Sequence, residues 1–317
     1  MKLRLKEVDR VEILTLQDNY IDITSKDSSD VVQRAIPLKD GEIRNSILAE
    51  HGFSSLLTTT AGDETHSMLF DFGFSEHGAA YNAKALNVDL TSVEVLALSH
   101  GHSDHTGGLT KLSEAVGKKG IKLILHPLAA HRQRYTRITR DFRIPFPSFS
   151  KVNTEAMEIT LQETAAPMAL VDGSFGFLGE VPRIVDFEKV GQNFVYDENG
   201  IETHDLIEDD TAMVVNVRGK GLVVLSGCAH SGIVNTVNHA REVTGINRIF
   251  AVMGGFHLNG ADMKTVVEPT IRALKEFDPE YLIPTHCTGR DTIIAMEKAM
   301  PEKFILNMSG TKLVFAS

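Results

Sequence analysis

The chain has 317 residues, 42% of them hydrophobic and 23% charged, an ordinary globular composition that argues against disorder and allows a sizeable core. A formal net charge of −10 argues against nonspecific binding to nucleic acid. Two cysteines, Cys228 and Cys287, exclude a disulfide scaffold. Charges at Glu7, Asp9, Arg10 and Glu12 break any signal-peptide core, and no apolar run approaches the ~18 residues of a membrane span, so a cytoplasmic protein is expected.

In chain order, residues 11–16 (VEILTL) read as a strand, followed by a turn at Asp18-Asn19. Residues 54–60 and 67–71 read as a hairpin turning at Ala61-Gly62-Asp63. A short helix is expected at 81–86, a buried strand at 93–98, a helix at 109–116 and a strand at 121–125 that stops at His126-Pro127. The middle is irregular. Residues 131–151 crowd Arg132, Arg134, Arg137, Arg140 and Arg143 together, and residues 197–210 form an acidic run expected as solvated surface. Strands follow at 211–217 and 222–225 around the turn Arg218-Gly219-Lys220-Gly221. Then come a helix at 233–243, a strand at 248–252, a helix at 264–277, a strand at 281–283, a helix at 291–300 and a strand at 312–315. Two halves of strands with helices between them suit an α+β (α/β) four-layer sandwich. Without a repeat, low-complexity tract or clear linker, residues 1–317 read as one domain, with the Arg-rich stretch near 131–151 as an insertion or lid.

The densest chemistry is residues 98–108, LSHGHSDHTGG, directly after a buried strand. His100 and His102 lie two apart, so in an extended loop both point the same way. Asp104 and His105 are adjacent and point differently, which suits a second ion. Gly101, Gly107 and Gly108 let the backbone pass close by. Imidazole with carboxylate suits zinc first, and also iron or manganese. A solvated histidine loop is the plain alternative, and the buried strand in front of it argues against that.

HGHSDH resembles the HxHxDH signature of the metallo-β-lactamase superfamily. Other segments follow in matching order: Ala49 to Ser54, the strand end LFDFG at 69–73, SGCAHSG at 226–232, GGFH at 254–257 and PTHCTG at 284–289. Together they resemble a branch that contains dihydropterin-linked ribofuranosylaminobenzene-phosphate synthases and ferredoxin-like metal-dependent hydrolases. The resemblance spans roughly the whole chain and implies an αββα sandwich with two divalent ions, zinc first. It implies that His100 and His102 hold one ion and that Asp104, His105 and His286 hold the other. The family's mid-chain Gly-His-Thr segment is absent, and His230 stands in for its histidine. Where the family has a bridging aspartate this chain reads Ser-Gly-Cys-Ala-His, so Cys228 or His230 takes that place. Asp71 and Cys228 are expected behind the ligands, Asp71 fixing a histidine tautomer; a plain turn residue is the other reading of Asp71.

Weaker signals remain. His257 is a candidate proton donor, substrate contact or ligand, or a packed loop histidine. Cys287 reads as a buried structural thiol, and a cysteine nucleophile leaves HGHSDH unexplained. Arg137 and Arg140 are candidate anion binders, since guanidinium forks suit phosphate and carboxylate; a solvated segment is the alternative. His51 and His126 are candidates for the pocket rim, whereas His66, His77, His131, His204 and His239 read as surface.

The expected function is hydrolysis of a small anionic ester, phosphoester or lactone-like molecule by a metal-activated hydroxide. Asp104 would orient that hydroxide as well as bind metal, and His257 or His230 would protonate the leaving group. The branch suggests a synthase-like variant. A mononuclear iron oxygenase-type enzyme and a non-enzymatic metal-stabilised metabolite binder are the alternatives. The expected partner is a small-molecule substrate, with no nucleic acid and no membrane; the residues leave oligomeric state open.

Overall fold

The computed structural model describes residues 2–317 apart from Pro37, Asn45, His131, Ser148 and Ser150. Two sheets face each other. One has eight strands in the order Thr160–Glu163, Lys122–Leu125, Val93–Ala97, Glu64–Phe70, Ser54–Ala61, Arg10–Gln17, Lys312–Ala316 and Val32–Gln33. The other runs Met168–Leu170, Phe175–Phe177, Ala212–Val217, Gly221–Ser226, Ile249–Gly255 and Tyr281–Thr285, with Glu7–Val8 paired to Ala212–Val217.

Alternation along Arg10–Gln17 shows why these sheets stack. Val11 and Ile13 enter the layer between the sheets, while Leu14 and Leu16 meet the opposite face. Met68, Phe70, Val215, Val223, Met253 and Phe315 complete the middle layer. Each such side chain contributes roughly 1.5–3 kcal/mol by leaving water. Helices cover the outer faces. Leu109–Val116 buries Leu109, Leu112 and Val116, one face at helical spacing, and ends at Gly117 with φ 68°. On the far side Ile233–Thr244, Lys264–Phe277 and Arg290–Ala299 bury Val237, Leu274 and Met296 against the second sheet. The architecture is the four-layer αββα sandwich.

The middle of the chain departs from expectation. Arg134–Thr139, Phe142–Pro145, Phe194–Glu198 and Ile201–His204 form a separate four-stranded antiparallel sheet, here called the cap. Its register sets Tyr135 beside Val195, so the arginine stretch and the acidic run become neighbours. The acidic run is therefore not simply solvated surface. Its outer part pairs Asp197 with Arg143 and Glu202 with Arg137, whereas Asp205, Asp209 and Asp210 are buried.

Four parallel strands deliver the site. Val93–Ala97 runs straight into the histidine loop. In the other sheet Ser226, Gly254 and Pro284 lie side by side at the carboxyl ends of neighbouring strands. Cys228, His257 and His286 follow within three residues of those ends, the rim where α/β sheets gather ligands.

Candidate metal centre

The residues singled out in the sequence converge at that rim. Ligand atoms of Asp104, His105, Cys228 and His286 lie within 4.8 Å of one another, as do those of His100, Cys228 and His230. His102 borders the second group, its ring centroid 4.5 Å from His100 and 4.9 Å from His230. Cys228, expected behind the ligands, stands among them: its Sγ belongs to both groups and lies 3.1 Å from His105 Nε2. The reason is local backbone. Ala229 adopts φ 49°, which turns Cys228 and His230 toward the same space. Asp71, His257 and His286 also have positive φ, so four non-glycine residues around the rim carry strained backbone.

The histidine tautomers follow from their partners. Asp71, fully buried, accepts the Nδ1–H of His105 at 2.7 Å and the Ser99 backbone N–H at 2.7 Å. Ser99 Oγ donates to Asp71 at 2.8 Å and accepts from His100 Nδ1 at 2.9 Å. One carboxylate thus directs the Nε2 lone pairs of two histidines toward the centre. His286 Nδ1 donates to Asn19 Oδ1 at 3.1 Å, leaving its Nε2 3.2 Å from Asp104 Oδ2.

Buried aspartates stand behind every ligand loop. Asp209 accepts from Gly101 N at 2.8 Å, Asp210 from Ser231 N at 2.8 Å and Asp18 from His286 N at 3.0 Å. None of these three was singled out in the sequence. The available signal was an acidic doublet, Asp209-Asp210, immediately ahead of the wholly buried strand Ala212–Val217. Asn19, read only as a turn residue, was missed as well. Gly101 is needed for close approach: a Cβ there would stand 2.2 Å from the Ala129 carbonyl and 2.7 Å from Arg134 Nη1.

Electrostatics favour neutral imidazoles at most of these histidines; at His105 burial is outweighed by Asp71 and Asp104, which raise it above its ordinary value. Burial, reinforced by Arg134, pushes His102 down to about 3; burial also lowers His100, His230 and His286, and holds His257 at about 4. Burial opposes charge on Asp104 as well, yet His105, His286 and His51 outweigh it and keep the carboxyl well below its ordinary range. The donor set fits a metal. Both ring nitrogens of His230 and Nε2 of His102 are buried without a hydrogen-bond partner among the described residues. Unpartnered buried nitrogens are costly, and imidazole, carboxylate and thiolate converging on one point are what a divalent ion such as zinc takes.

The centre opens into a cavity of about 1170 Å³. Phe146 stacks on His102 with centroids 4.7 Å apart, Phe194 lies 5.4 Å from it, and Tyr20 and Phe74 add apolar wall. His257 lines it, 4.2 Å from His230 between centroids, and His51 does too, 3.4 Å from Asp104. Arg137 and Arg140, expected to bind substrate, do not line it. Arg137 pairs with Glu202 on the cap, and Arg140 is exposed at a hairpin tip. Among the described residues that line it, Arg290 is the one arginine or lysine. His126 is buried away from the cavity, its Nδ1 accepting from Leu128 N. Of the histidines read as surface, His77 is exposed and His66 and His204 are half-buried. His239 is buried instead, its Nε2 donating to the Leu178 carbonyl; His131 lies outside the described residues. Among the described residues no helix is long and apolar enough to cross a membrane.

Residues 49–193 match the family model of the metallo-β-lactamase superfamily. Over 306 residues, 91% of either chain, the sequence is 30% identical to the 7,8-dihydropterin-6-methyl-4-(β-D-ribofuranosyl)-aminobenzene-5'-phosphate synthase of Methanocaldococcus jannaschii. The crystal structure of Tm1679, a metal-dependent hydrolase of the β-lactamase superfamily, superposes with TM-score 0.73 at 25% identity, covering 97% of this chain and 100% of that one. Unliganded yeast PDE1 shares the fold alone, with TM-score 0.54 at 9% identity over 98% of this chain and 100% of that one. The chain belongs to the metallo-β-lactamase superfamily.

Proposed function

We propose that this protein is a metal-dependent hydrolase of a small anionic ester, phosphoester or lactone-like molecule, using two divalent ions, zinc first. The observation that carries the reading is the pair of buried donor groups joined at Cys228 and opening into the cavity. One ion is assigned to His100, His102 and His230, the other to Asp104, His105 and His286, with Cys228 between them. Ions held by these residues would supply an activated water at neutral pH and polarise the oxygen under attack. Asp104, ionised and open to the cavity, orients that water. His257, neutral at pH 7, hydrogen-bonds the leaving group. Arg290 takes over the anion-binding role expected of Arg137 and Arg140. The phenylalanine walls hold the apolar part of the substrate and exclude bulk water.

A second reading, group transfer to an organic nucleophile in place of water, is favoured by the cavity's volume. About 1170 Å³ exceeds what one small ester fills. The relative named as a dihydropterin-linked synthase points the same way. A panel of aryl phosphodiesters, phosphomonoesters, lactones and carboxylic esters separates the two. Turnover of one class, abolished by chelation and by His102→Ala, supports hydrolysis. Full metal content with no turnover of any class removes the hydrolase reading and leaves group transfer.

A further inference from the structure

The acidic doublet Asp209-Asp210 lies between two loops that are far apart in sequence. Asp209 Oδ2 accepts from the backbone of Gly101, the residue between His100 and His102. Asp210 Oδ2 accepts from the backbone of Ser231, the residue after His230. Thr211 N then donates to the Ser99 carbonyl at 3.1 Å, which locks the doublet to the start of the histidine loop. Three consecutive residues therefore fix the distance between the loop carrying His100 and His102 and the loop carrying His230.

The doublet is in turn tied to the cap. Arg134, 3% exposed, places its guanidinium fork on Asp209, with Nη1 3.0 Å from Oδ2 and Nη2 on Oδ1. Its Nε donates to Asp205 at 2.8 Å. The backbone of the same arginine accepts from Phe146 N at 2.9 Å, and Asp205 N donates to the Phe194 carbonyl at 2.9 Å. Phe146 and Phe194 are the two rings packed on His102. The buried ion cluster and the aromatic roof are thus one assembly, anchored at both ends by Arg134.

The donor group around Asp104 has supports of its own and shares Asp71, which also reaches His100 through Ser99. His286 is held by Asp18 and Asn19, and His105 by Asp71. Among the described residues none of Asp18, Asn19 and Asp71 hydrogen-bonds or pairs with Arg134, Asp205 or Asp209. We propose that Arg134 and Asp209 are positioning residues for one half of the centre only. They set the geometry of the His100, His102 and His230 subsite through the cap, and leave the Asp104, His105 and His286 subsite untouched. The inference rests on the two-ion reading of the centre. It adds that the first half has a support of its own, beyond the shared Asp71, and can be weakened without the second.

The physical basis is the fork. Arginine binds a carboxylate through two parallel bonds, and a lysine point charge does not reproduce them. Asp209→Asn keeps the shape and an acceptor for Gly101 N but removes the charge opposite Arg134. Outer partners of metal ligands commonly change affinity ~10–100-fold, and that range is expected here for one ion alone.

The test is metal titration of apo protein with Zn²⁺ against a competing chelator, with thermal melting followed in parallel. Asp209→Asn is placed in two backgrounds. In His286→Ala the remaining ion sits with His100, His102 and His230, and its affinity is expected to fall ~10–100-fold. In His230→Ala the remaining ion sits with Asp104, His105 and His286, and its affinity is expected to stay unchanged. Phe146→Leu repeats the test from the roof side in case Asp209→Asn fails to fold. Asp18→Asn is expected to show the reverse selectivity. Equal weakening in both backgrounds, or none in either, overturns the inference while leaving the two-ion reading in place. Wild-type protein that takes up no ion overturns both.

Discussion

Asp71 receives the Nδ1–H of His105 at 2.7 Å, with neither side chain exposed to solvent. Through Ser99 the same carboxylate also orients His100. This geometry ties Asp71 to one histidine in each donor group. Asp71→Asn keeps the shape but offers one acceptor oxygen in place of two, so the bonds to Ser99 and His105 cannot both persist. Metal affinity is expected to fall ~10–100-fold, with both ions affected because the two histidines belong to different donor groups. Competition titration with a chelator measures it. Wild-type affinity in the variant would show that the tautomers are fixed by other means.

Glu188 gives the fold a pH dependence of its own. Its carboxylate caps the start of helix Ile233–Thr244, accepting from Val234 N at 2.8 Å and Asn235 N at 2.7 Å. Burial outweighs those bonds and pushes the carboxyl from 4.5 up to about 7. Between those values the folded state keeps a proton that the unfolded state has released. This contribution to stability is therefore full below pH 4.5 and is lost as pH rises toward 7, by roughly 3 kcal/mol. Denaturant midpoints of wild type and Glu188→Gln at pH 5 and pH 8 test the sign. The wild type is expected to lose more stability across the interval than the variant. Equal losses would place the titrating group elsewhere.

Arg290 and Arg137 separate two views of anion recognition. Arg290 lines the cavity, while Arg137 is paired with Glu202 on the cap. Arg290→Gln is expected to raise KM for an anionic substrate about 10- to 100-fold, the range of a charge-assisted hydrogen bond, and to leave a neutral ester unaffected. Arg137→Gln is expected to change neither. Steady-state kinetics on the pair of substrates decides it, and the reverse pattern would return the role to the cap arginine.

The legible parts of this sequence were local. HGHSDH brings His100, Asp104 and His105 into the two candidate donor groups, with His102 beside them, because the ligand types are contiguous. The helices 109–116 and 264–277 have the bounds their spacing implied, and most strand ends moved by one or two residues in either direction, with shifts of three at the start of Glu64–Phe70 and the end of Ile249–Gly255. What escaped depends on distant pairing. The cap joins Tyr135 to Val195 and Arg134 to Asp209, contacts separated by 60 residues or more, so its strands looked irregular and its charges looked solvated. The position of Cys228 depends on the positive φ of Ala229, for which alanine gives no signal. His239 looked polar and is buried, because its Nε2 meets a carbonyl from another segment. The supporting aspartates Asp18, Asp209 and Asp210 each serve a backbone N–H, a role that leaves no sequence motif.

The two donor groups joined at Cys228 are each expected to hold one ion. Elemental analysis of wild type, His230→Ala and His286→Ala, purified without chelator, tests it most directly. Two ions per chain in the wild type and one in each variant are the expected result. A wild type with no stoichiometric metal, or variants that both keep two ions, would contradict it.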